Sequence, residues 1–105
     1  MKNPPDFIAY LGKLIAKAAT LVYQDPYGKT IKVRIQKLAD LNKVNAKPEN
    51  IRKLAECGVE NAVLIGSDEL GVPILLDCGT LKTYLLDPES VGQEYLKHQI
   101  TITHD

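Results

Sequence analysis

The stretch from Phe7 to Val22 constrains the fold more than any other part of the chain, because it is apolar around most of a helix's girth. Phe7, Ile8, Leu11, Leu14, Ile15, Ala18, Leu21 and Val22 recur at three- and four-residue spacing, the period of a helix seen from its buried side. Asp6, Lys13, Lys17, Thr20 and Gln24 leave only a narrow polar stripe. Such a helix has to be covered on more than one side. Asn3 suits the N-cap, the prolines after it suit an opening turn, and Asp6 complements the positive end of the dipole. The spacing predicts a helix from about Pro5 to Tyr23.

Beyond it the period changes. Gln24-Asp25-Pro26-Tyr27-Gly28 reads as a turn. Thr30 to Lys37 alternates strictly, predicting a half-buried strand with Ile31, Val33 and Ile35 inward and Lys32, Arg34 and Gln36 outward. Leu38 to Val44 is open between a loop and a short helical turn. Pro48 opens a helix whose buried face is expected to be Ile51, Leu54 and Ala55, with Gly58 as its cap. Asn61–Ile65, Val72–Asp77 and Leu81–Leu86 read as a meander joined by short turns, with Pro73 at an edge or a strand start. A short helix carrying Val91, Tyr95 and Leu96 is expected next. A last strand follows, with Ile100 and Ile102 inward.

These elements predict a single α+β domain over residues 1–105. Its sheet is mainly antiparallel with four to five strands. The N-terminal amphipathic helix and one or two further helices pack on one face. The composition, 45% hydrophobic and 25% charged, belongs to a globular chain rather than a disordered or fibrous one.

Lys13 and Lys17 interrupt the first apolar run, and no small-residue cleavage site closes it, so it does not read as a secretory signal. It is also shorter than the roughly 20 residues of a membrane span. A cytoplasmic location with no membrane partner is the expectation. There, Cys57 and Cys78 are expected to stay reduced and to act as small buried apolar side chains.

The formal net charge is zero, yet the charges are segregated. Residues 1–56 hold eleven Lys or Arg against five Asp or Glu, and residues 57–105 hold two against eight, giving +6 and −6. Lys29, Lys32, Arg34, Lys37, Lys43, Lys47, Arg52 and Lys53 fall within 25 residues, opposed only by Asp40 and Glu49. Lys32 and Arg34 project from one face of a strand, with Tyr27 just ahead. Such a face can track a phosphate backbone and stack a base. Lysines on an edge strand also serve to block aggregation, and zero net charge removes long-range attraction to nucleic acid.

Catalytic patterns do not emerge. The histidines, His98 and His104, lie in the last eight residues, a poor platform for a base. There is no nucleophile elbow and no phosphate-binding glycine loop. Cys57, Cys78, His98 and His104 have no zinc-type spacing. Asp68 and Glu69 read as solvating a hairpin tip, and Asp77 has no lysine at nuclease spacing. Ile51 to Leu75 resembles the opening of roadblock-type dimerisation domains. The long helix that family requires after the hairpin is missing, so no function is carried across.

The expectation is therefore a non-enzymatic interaction module, a small binding or adaptor protein without cofactor or metal. Tyr27, Lys29, Lys32, Arg34, Lys37, Arg52 and Lys53 are the candidate partner-binding residues. Phe7, Leu11, Leu14, Ile15, Ala16 and Ala19 are the candidate homodimer interface. A protein partner leads, and a nucleic acid bound around Lys32 and Arg34 is the alternative.

Overall fold

In the computed structural model, which describes residues 5–58, 62–86 and 97–104, the first helix is shorter than its apolar pattern predicts. α1 spans Pro5–Ala16, a single 3-10 turn covers Ala18–Thr20, and the chain then enters strand β1, Leu21–Gln24. Leu21, Val22 and Tyr23 satisfy a helical period, but β-branched and aromatic residues also suit a half-buried strand. Pairing decides between the two readings: β1 runs antiparallel to β2 (Thr30–Ile35), with Val22 opposite Lys32 and Tyr23 opposite Ile31.

The segment left open after β2 is helical. α2 spans Leu38–Asn45 and α3 spans Pro48–Cys57, capped by Gly58 at φ 71°. The buried side of α3 differs from expectation: Ile51 is 54% exposed and Ala55 is exposed, while Cys57 is buried and Leu54 half-buried. Strands β3 (Ala62–Asp68), β4 (Pro73–Asp77) and β5 (Thr83–Leu85) form the expected meander, with Pro73 as the first residue of its strand. The helix expected around Val91 lies outside the described residues.

The last strand is divided. β6 (Gln99–Ile100) pairs with β5, and β7 (Thr103–His104) pairs with β1, both antiparallel. The sheet order is β6-β5-β4-β3-β2-β1-β7, so its two ends are separated in the chain only by Thr101 and Ile102. Three residue steps span at most roughly 11 Å, so the sheet must curl until its edges meet across this strap. The sheet is antiparallel as expected, but it has seven strands rather than four or five.

Curling gives the sheet an inner and an outer face. Leu21, Tyr23, Ile31, Val33, Ile65, Ile74, Leu76 and Ile100 form the inner core together with Leu11 and Leu14 of α1. Leu64, Leu75 and Tyr84 point the other way, into a second core with Cys57, Val44 and Leu54 of the α2–α3 pair. The helices are thus divided between the two faces rather than gathered on one. β3, β4 and β5 are covered on both sides, which explains their continuous apolar character. The Cα radius of gyration is 12.9 Å, the value of about 13 Å for one compact domain of this length.

A bulge sets how β3 meets its neighbours. Leu64 faces Leu75 and Gly66 faces Ile74, so Ile65 is the extra residue. β2 pairs with β3 from Asp68 to Gly66. Beyond that point the Asn45 side chain takes over the ladder: Leu64 N–H donates to its Oδ1 at 2.8 Å, and its Nδ2 donates to Leu64 C=O at 3.0 Å. That contact ties α2 to the sheet by satisfying backbone groups that would otherwise be stranded.

Candidate binding surface

The outer face of the sheet is unevenly covered. α2 and α3 lie over the outward side chains of β3, β4 and β5. Over β1, β2 and β7 the outward positions are Val22, Gln24, Thr30, Lys32, Arg34 and Thr103. All are exposed except Val22, which is half-buried. The register aligns Thr103, Val22 and Lys32 in one row across three strands and sets Arg34 beside Ser67. A cleft of about 420 Å³ lies along this face, lined by Ala19, Thr20, Leu21, Val22, Lys32, Val33 and Arg34. Strand alternation makes the surface: each inward Ile31 or Val33 obliges its neighbours Lys32 and Arg34 to point out.

The other candidate cations are dispersed. Tyr27 and Lys29 sit in the β1–β2 turn, where Asp25 Oδ1 accepts the Tyr27 N–H at 2.9 Å and the Lys29 N–H at 2.8 Å. Gly28 completes that turn at φ 82°, and Tyr27 is held 94% exposed. Lys37 lies past the opposite end of β2, as the N-cap of α2. Arg52 and Lys53 belong to α3, in the layer over β3–β5. The structure therefore joins Lys32 with Arg34, places Tyr27 and Lys29 at the tip of the same hairpin, and leaves Lys37, Arg52 and Lys53 elsewhere.

The candidate dimer residues also divide. Leu11 and Leu14 are only 2% and 6% exposed and belong to the chain's own inner core. Ile15 is half-buried, and Ala16 and Ala19 are exposed. The Phe7 side chain lies outside the described residues.

Residues with catalytic potential are tied into structure. His98 is half-buried in a cleft of about 270 Å³ with Tyr23, Asp25 and Lys97 among its lining. Asp25 there holds its own turn, and the Tyr23 hydroxyl donates to Asp68 Oδ2 at 3.0 Å. Burial and the adjacent Asp68 carboxylate hold the Tyr23 hydroxyl well above the ordinary tyrosine range. Burial likewise pushes the Cys57 thiol up, with Glu56 adding to it, and pushes Cys78 up to about 11 with help from Asp77. These shifts disfavour the thiolate form that nucleophilic chemistry uses. Among the described residues, no group of three or more His, Cys, Asp or Glu could hold a metal ion. Nor is any helix among them long and apolar enough to cross a membrane.

One constellation escaped the sequence reading. Lys13 of α1 and Lys17, just past its end, line a second cleft of about 270 Å³ with His104 of β7; its other walls are Leu14, Leu21, Ile102 and Thr103. Nothing in the spacing links positions 13 and 17 with 104. The pairing of Leu21 with His104 brings them together. No protein-family model, curated protein or solved structure matches the chain.

Proposed function

We propose that the chain is a non-enzymatic interaction module, an adaptor that presents the outer β7–β1–β2 face to an acidic surface on a protein partner. The observation that carries this reading is the juxtaposition of Lys32 and Arg34 along a cleft on the part of the sheet that lies outside the α2–α3 layer, with the 3-10 turn at Ala19 and Thr20 as one wall. Charges at such a face steer encounter and set specificity, while Val22 and the cleft floor supply the apolar contact. Affinity capture from the native host with the wild type and with Arg34→Glu tests it. An acidic protein retained by the wild type and lost by the variant is the expected result. Identical captured sets would contradict it.

A second reading, single-stranded nucleic acid, is favoured by one feature: Tyr27 stands exposed at the tip of the hairpin that carries Lys29, Lys32 and Arg34. A base stacked on Tyr27 with phosphates running back over the cations is the geometry it requires. Its signature is a gel shift that weakens steeply with salt and disappears in Arg34→Glu. Self-association remains part of the proposal in reduced form, resting on Ile15, Ala16 and Ala19 once Leu11 and Leu14 are assigned to the core.

A further inference from the structure

The inner core approaches the surface where α1 ends. Leu14 and Leu21 belong to that core, and the half-buried Ile102 packs against it from the strap. All three also line the cleft between α1 and β7. α1 stops at Ala16, and β7 begins only at Thr103, so neither element extends across this opening. An apolar group placed there would continue the packing of the core instead of lying on a polar surface.

The rim has the opposite character. Lys13, Lys17 and His104 are exposed around the apolar floor, and no carboxylate is among the described residues that line the cleft. An apolar floor with a small number of convergent polar groups is the usual composition of a small-molecule site. Apart from Thr103, the polar residues lining it are all potential cations, so the complementary ligand carries its apolar part at one end and an anion at the other.

We infer that this cleft binds an amphiphilic carboxylate, a medium-chain acyl anion whose tail lies on Leu14, Leu21 and Ile102 and whose head meets Lys13 and Lys17. The cleft, at about 270 Å³, lies near the lower end of the roughly 300–1,000 Å³ that small-molecule sites occupy, which suits a medium-chain tail rather than a long one. Each methylene buried adds to affinity, so binding rises with chain length until the cleft is filled. This site stands independently of the acidic-partner reading, which uses Lys32 and Arg34.

Calorimetric titration of the full chain with octanoate, alongside acetate and the neutral alcohol octanol, tests the inference. Octanoate is expected to saturate one site. Acetate lacks the tail and octanol lacks the charge, so each is expected to bind at least about tenfold more weakly. Lys13→Glu/Lys17→Glu, at two exposed positions, should abolish octanoate binding while Arg34→Glu leaves it intact. Octanol binding as tightly as octanoate, undiminished binding by the double variant, or no heat from octanoate at all would each overturn it.

Discussion

Asp68 accepts three donors: the Tyr23 hydroxyl on Oδ2, and the N–H groups of Leu70 and Val72 on Oδ1, both at 2.9 Å. It is 3% exposed, so it builds the β3–β4 turn and locks it to β1 rather than solvating a hairpin tip. Tyr23→Phe removes one donor and leaves a buried carboxylate oxygen without its partner. The expected cost is about 1–3 kcal/mol, read as a lower denaturant midpoint at unchanged slope. An unaltered midpoint would show that the contact contributes nothing. The role of Asp68 was illegible in the sequence because its partner lies 45 residues away. A local reading sees only an acid in a glycine-rich turn. The roles of Gly58, Gly28 and Pro73 were legible because their constraints are local ones of dihedral angle and missing donor.

Among the elements, β1 shows where periodicity misleads. Leu21, Val22 and Tyr23 extend the helical pattern of α1 without a break, and only pairing with β2 and β7 separates them from it. β2 needed no such help, since strict alternation admits one reading. The α3 face was misassigned because period alone leaves its phase free; Leu54 and Cys57, three apart, pack into the outer core, and Ile51 does not. The β2–β3 pair also depends on Gly66, where an added Cβ would collide with the backbone carbonyl of Arg34. Gly66→Ala therefore forces the two strands apart just where the bulge begins. A loss of about 1–3 kcal/mol, as for other overpacked sites, is expected in thermal or chemical unfolding. A variant as stable as the wild type would mean that the strands separate without cost.

At the scale of the whole molecule, the curled sheet changes what the charge segregation means. β2 pairs with β1 on one side and β3 on the other, so Lys32 and Arg34 do not guard an open edge as lysines often do. They stand on an interior strand, on the outer face left bare by α2 and α3. The sequence could identify these two side chains as outward, but not which part of the outer face the helices leave uncovered. Self-association is a question at this scale too. If Ile15, Ala16 and Ala19 form a dimer contact, light scattering should give roughly twice 11.6 kDa, as expected for the commonest closed symmetry. Ala16→Asp should then return it to the monomer mass, and a monomer at every concentration would remove the contact.

Lysine-reactive labelling of the chain, free and with its captured partner, tests the binding face most directly. Lys29 and Lys32 belong to the proposed face and its hairpin tip, whereas Lys43 and Lys47 lie on and just beyond α2. All four are exposed in the free chain, so each reports its own side of the molecule. The account predicts that the partner protects Lys29 and Lys32 and leaves Lys43 and Lys47 as reactive as before. Protection of Lys43 and Lys47 with Lys32 unchanged would contradict it.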